Sequence, residues 1–145
     1  MTADKPQTRD SFEFFLPIET RWADNDLYGH VNNVIYYLWF DTIVSRFLIE
    51  DGGFDIQADP VIGYIVESGC SYKKGIAHPA KVDGALRIGR IGTSSVKYEL
   101  AIFREGEDEP AAHGFFVHVW VDRETERPAG IPDKIRAAME KILVP

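Results

Sequence analysis

The chain has few of the residues that staple or metallate small proteins. Of its 145 residues one is cysteine, Cys70, and four are histidine. A single thiol excludes an intrachain disulfide and any zinc site built from several cysteines, so the fold must rest on its core. It also permits a reducing compartment. Positive charge is scarce too: 16 lysines and arginines against 23 acids leave a formal net charge of -7. A protein that tracks nucleic-acid phosphates normally shows a basic face, so this balance argues against one, the local cluster Arg87, Arg90 and Lys97 notwithstanding. No apolar run approaches the ~20 residues that a membrane helix needs. The polar opening from Met1 to Ser11 lacks the apolar centre of a secretion signal. These absences predict a cytoplasmic protein with no membrane and no nucleic-acid partner. Length and ordinary composition (45% hydrophobic, 27% charged) predict one domain over 1–145, with residues 1–11 as a flexible lead.

Hydrophobic periodicity then divides the chain. From Phe12 to Trp22 the apolar residues Phe12, Phe14, Leu16 and Ile18 alternate, which predicts a strand. Pro17 has no ladder donor and places that strand at an edge or a bulge. A polar loop runs from Ala23 to Gly29. From about Val31 to Glu50 the run is too long for one strand and apolar nearly all round, which predicts a helix surrounded by protein. Asp51-Gly52-Gly53 ends it.

Beyond a loop reaching Pro60, strands are predicted at Ile62 to Tyr72, Leu86 to Ile91, Ser95 to Phe103 and His113 to Val121. The acidic run from Glu105 to Pro110 makes a hairpin turn. The last strand is apolar on both faces, with Phe115, Val117 and Val119 on one and Phe116 and Trp120 on the other. An antiparallel strand usually keeps one wet face, so its second face is expected to lie under another subunit or a ligand. Pro132 to Leu143 closes the chain as an amphipathic helix. Strand, long helix and four strands together predict an α+β fold, one antiparallel sheet curled around one helix.

The chemistry is concentrated in Asp24-Asn25-Asp26-Leu27-Tyr28-Gly29-His30-Val31-Asn32-Asn33, just ahead of that helix. Read locally, the aspartates make Asx-turns, Gly29 permits a left-handed bend, and Asn32 or Asn33 caps the helix. Read together, a carboxylate and several free backbone N–H groups at a helix start suit attack on a carbonyl whose oxygen must turn negative. A calcium loop is excluded, because Tyr28 and Ile35 stand where it needs acidic or amide ligands. His78, His113 and His118 lack metal-ligand spacing, so no metal and no cofactor is expected. Asp41 and Glu67 are polar residues in apolar surroundings and are candidate second carboxylates. Gly92-Thr93-Ser94-Ser95 reads equally as a tight turn or as N–H groups offered to a substrate.

The string from Asp24 to Tyr36 resembles the signature of hot-dog-fold acyl-CoA thioesterases related to 4-hydroxybenzoyl-CoA thioesterase. His30-Val31-Asn32-Asn33 is also similar to a segment of plant acyl-acyl-carrier-protein thioesterases. The resemblance implies a hot-dog fold, an acyl-CoA substrate and no cofactor. It makes Asp26 the catalytic carboxylate, either attacking the thioester or activating a water. It sets backbone N–H groups around His30 to Asn33 against the oxyanion. His30 and Asn33 join Asp26 as catalytic candidates, and Tyr28, Gly29, Val31 and Asn32 as substrate-binding ones. It further implies a homodimer or homotetramer whose active site is shared between subunits. The competing readings are a non-hydrolytic acyl-CoA binding protein and a hydroxyacyl dehydratase of the same fold.

Overall fold

The structure, a computed structural model, describes residues 6–145. The first strand, β1 (Phe14–Glu19), is followed by a 3-10 turn at Trp22–Asp24 and the long helix α1 (Asn33–Glu50). Four strands come next, β2 (Val61–Tyr72), β3 (Lys81–Ile91), β4 (Ser95–Arg104) and β5 (Ala112–Asp122), and then helix α2 (Asp133–Lys141). They form one five-stranded sheet in the order β1-β3-β4-β5-β2, with every neighbouring pair antiparallel. The edge position expected from Pro17 is where β1 lies. The other edge is β2, on which Tyr64, Ile65 and Val66 are exposed.

Helix α1 starts where Asn32 supplies its cap, the side-chain oxygen accepting the Val34 N–H at 3.0 Å. It ends where Gly53 takes a φ of +66°, a left-handed bend that glycine adopts freely. Between those ends Tyr36, Trp39, Phe40, Ile43, Val44, Phe47 and Leu48 are buried against the sheet. Two glycines let the helix approach. A Cβ on Gly84 would run into the Ile43 side chain, and one on Gly114 would sit 2.7 Å from the Phe40 ring. Val34, Leu38 and Ile49 remain exposed. The helix is therefore covered on one side only, not all round as its composition suggests, because a single sheet has only one concave face to offer.

The faces of β5 are also assigned differently from the expectation. Phe116 and Trp120 point into the core, 3% and 0% exposed, while Phe115, Val117 and Val119 are half-buried on the outer face. Both large aromatics are already covered within the chain, Phe116 by Tyr37 and Phe40 of α1 and Trp120 by Phe54, so they leave no demand for a second subunit. Burying each contributes ~1.5–3 kcal/mol within this one chain. Strand β3 begins at Lys81, five residues ahead of the predicted start, because Gly84 and Ala85 hide its alternation.

Of the expected flexible lead, residues 1–5 lie outside the described residues, but the rest is pinned to the outer face of the sheet. Arg9 bonds Asp83 at 2.8 Å, and the buried Arg87 guanidinium reaches the carbonyls of Pro6 and Ser11 as well as the Glu99 carboxylate. Arg87 is thus spent on structure, and the basic cluster read from the sequence is broken up. Helix α2 seals the core with Ile135, Ala138 and Met139.

Candidate active site

The polar loop folds on itself before it reaches α1. The Asp26 N–H donates to the His30 carbonyl at 2.7 Å, and the Gly29 N–H to the Asp26 carbonyl at 3.1 Å. Gly29 sits at a φ of +83° to close this turn, the role its residue type predicts. The turn stands on a fixed base. The Asn25 side chain accepts the His78 N–H at 3.0 Å, and the His78 ring bonds the Thr20 carbonyl at 2.8 Å. Asp24 is 1% exposed, and its carboxylate takes the Arg21 backbone N–H and the Arg21 guanidinium.

Asp26 is held by one oxygen. Its Oδ1 accepts the backbone N–H of Tyr28 at 2.8 Å and that of His30 at 3.3 Å. Its Oδ2 has no partner among the described residues. The expected Asx-turn is therefore present, and it leaves half of the carboxylate free. Asp26 opens on a groove of about 670 Å³, lined also by Tyr28, Asn33, Tyr36, Tyr72 and Lys73.

The helix start lies in the same groove, and its N–H groups are not equally available. Val31 donates to the Ile76 carbonyl at 2.7 Å and Asn32 to the Asp24 carbonyl at 2.8 Å. The Asn33 N–H has no acceptor among the described residues, and it is the first N–H of an 18-residue helix. That end of a helix carries partial positive charge. The set of candidate oxyanion donors thus narrows to Asn33, a choice that depends on distant partners and could not be read from the loop itself.

The remaining expected residues fall around this centre. The His30 ring lies against Gly75, where a Cβ would stand 3.0 Å from it; among the described residues nothing bonds the imidazole, and it forms no pair with Asp26. Tyr28 and Gly29 are exposed at the loop tip and Val31 is buried beneath it. The Tyr72 hydroxyl donates to the Asn33 carbonyl at 3.3 Å, and its ring meets Tyr36 edge to face at 5.0 Å. Burial pushes the Tyr36 phenol up to about 12 and raises Tyr72 further, so both phenols keep their protons. Burial likewise raises the Cys70 thiol, which makes it a poor nucleophile. Among the described residues no three potential metal ligands cluster. Gly92 to Ser95 is a closed turn, its Gly92 N–H given to the Ser95 carbonyl, and it is absent from the residues around Asp26. Glu67 is exposed on β2.

A second groove, of about 630 Å³, runs under the C-terminal half of α1 beside the start of β2. Asp41 stands at it, and so does His118, which sequence reasoning set aside as a scattered histidine. The signal was in the alternation that carries Phe116 and Trp120, because His118 falls between them on the same face.

A five-stranded antiparallel sheet wrapped on one long helix, with a polar loop feeding that helix's N-terminus, defines the hot-dog fold. The profile of the thioesterase-like superfamily matches residues 20–139, and the chain belongs to that family. It is similar to the PA5185 protein of Pseudomonas aeruginosa, at 51% identity and a TM-score of 0.92, covering 94% of this chain and 95% of that one. PA2801 of the same organism, a candidate thioesterase, is 34% identical with a TM-score of 0.79 over 86% and 96% of the two chains. Among curated proteins, the uncharacterized YsmA of Bacillus subtilis is 22% identical over 127 residues, 87% of this chain and 84% of its own. Among the described residues no helix is long and apolar enough to cross a membrane.

Proposed function

We propose that the protein hydrolyses acyl-CoA thioesters to the free acid and CoA. The observation that carries this is Asp26, with Oδ1 held by two backbone N–H groups and Oδ2 free, in one groove with the unpaired Asn33 N–H. Oδ2 attacks the thioester carbonyl carbon, or takes the proton of a water that does. The carbonyl oxygen turns negative as the carbon becomes tetrahedral, and the Asn33 N–H at the positive end of α1 receives it. The sulfur leaves as the CoA thiolate and takes the proton that the water gives up, from Asp26 in the water-activated route and on hydrolysis of the acyl-enzyme in the direct one. In the direct route the acyl-Asp26 anhydride is opened by water, which restores the carboxylate. His30 supports the reaction by fixing Asp26 through its backbone N–H and by presenting its ring to the substrate. Tyr28, Gly29, Val31 and Asn32 shape the mouth, and Lys73 offers positive charge to the CoA phosphates. One free thiol suits the reducing cytoplasm this reading assigns.

The site is shared in this reading. Strand β2 has a free edge, and edges of this length are normally paired or blocked. Two copies joined there about a two-fold axis run antiparallel. The start of one β2, beside the second groove, then lies against the end of the other, beside Asp26. A homodimer, or a tetramer of two such dimers, follows.

Thiol release across a panel of acyl-CoAs tests the reading. Saturable release by the wild-type protein is expected. Binding of acyl-CoA without any release would replace it with the non-hydrolytic reading.

A further inference from the structure

The groove under the C-terminal half of α1 is walled by apolar side chains, among them Val44, Leu48, Phe54 and Ile62. Its floor is different. His118 and Trp120 line it at 7% and 0% exposure, and their rings meet edge to face at 6.1 Å.

The Tyr98 hydroxyl lies 3.0 Å from His118 Nδ1. Tyr98 is itself wholly buried, and among the described residues its proton has no other acceptor. A buried hydroxyl is rarely left without one, so the Tyr98 O–H donates to Nδ1 and the imidazole proton sits on Nε2. Burial keeps the ring neutral by driving its pKa down to about 4. Nε2–H then has no acceptor among the described residues. The Trp120 indole N–H, by contrast, faces the Tyr98 hydroxyl and is closed off from the groove.

An unanswered donor under an apolar groove calls for an acceptor above it. We propose that this groove receives the acyl group of the thioester, and that His118 selects acyl groups carrying a neutral hydroxyl or carbonyl oxygen remote from the thioester. The inference rests on the thioesterase reading given above. The groove reaches the partner's Asp26 when two β2 edges pair, and its volume is that of a small-molecule site. The oxygen is neutral for two reasons. The Asp41 carboxylate at the groove disfavours a second anion there. The Arg123 guanidinium, the cation of the lining, is spent on the carbonyls of Asp59 and Ile56. Selectivity follows from the donor itself, because a plain alkyl chain leaves it buried and unpaired.

The test compares kcat/KM for octanoyl-CoA and decanoyl-CoA with that for their counterparts bearing a hydroxyl or keto oxygen near the distal end. The wild-type protein should prefer the oxygenated substrates by about tenfold or more. His118→Phe should erase most of that preference while plain chains continue to turn over. If His118→Phe does not fold, Tyr98→Phe removes the O–H that holds the imidazole proton on Nε2, and should cut the preference several-fold. Equal use of plain and oxygenated chains by the wild type would overturn the inference alone, a buried water then answering the donor. An unchanged preference in the folded variants would overturn it too. Absence of thiol release from every acyl-CoA would instead remove the hydrolase reading, and this one with it.

Discussion

Asp24 and Asn32 are joined through their backbones, the Asn32 N–H donating to the Asp24 carbonyl at 2.8 Å. The first residue of the reactive loop is thereby tied to the cap of α1, which closes the segment carrying Asp26 against the helix start. Pre-set geometry of this kind lets an oxyanion donor act without reorganisation.

The buried Asp24 carboxylate is accordingly expected to serve the fold. Asp24→Ala strands the Arg21 backbone N–H and should cost ~1–3 kcal/mol in urea denaturation. Asp24→Asn, which keeps an acceptor oxygen, should be milder in both stability and turnover. Loss of all activity in Asp24→Asn at unchanged stability would move the chemical role from Asp26 to Asp24.

Asp26→Asn and Asp26→Ala should remove most thioester hydrolysis, and the denaturation midpoint of Asp26→Asn should stay close to that of the wild type, since Oδ2 makes no bond within the fold and Asn keeps an acceptor for the Tyr28 N–H. Asp26→Ala loses that acceptor, so Asp26→Asn is the cleaner test. Comparable turnover by wild type and Asp26→Asn on the best substrate would end the assignment.

Association through β2 predicts no appreciable monomer in sedimentation at micromolar concentration. It also predicts complementation. Asp26→Asn and Ser45→Trp, the latter filling the second groove, should each be inactive as homodimers. Co-expressed, they should recover about one quarter of wild-type activity, because half the dimers are mixed and each holds one intact site. No recovery would show that groove and carboxylate act within a single subunit.

His118 gives the stability a pH dependence of known sign. Its folded pKa is driven down to about 4 by burial, against ~6.5 in an unfolded chain. Stability is full above pH ~6.5 and falls as pH drops toward 4, because the unfolded state binds the proton first. The loss should approach ~3 kcal/mol. Chemical denaturation at a series of pH values should show this slope in the wild type and not in His118→Phe; identical slopes would refute it.

The elements were legible because their periods are strong. The alternation of Val96, Tyr98, Leu100 and Ile102 predicts β4, and the unbroken apolar run after Asn33 predicts α1. Which face of β5 turns inward was not legible, since both faces are apolar and only the helix above decides that Phe116 and Trp120 are the buried pair. The start of β3 was hidden for a related reason: Gly84 and Ala85 are small to make room for α1, and small residues carry no alternation. Within the site, Asp26, Gly29 and the Asn32 cap follow from local loop chemistry. The free Asn33 N–H does not, because it is defined by what Ile76 and Asp24 take from its neighbours.

Gly84 acts as a fulcrum. It lies beneath Ile43 near the middle of α1, where the absence of a side chain sets the height of the helix above the sheet. One end of that lever is anchored through Asn32 to Asp24, and the other overhangs the second groove. A bulkier residue at this position would prise the middle of α1 off the sheet and reshape the space beneath it. The height of that space is thus set by a residue that lines neither groove.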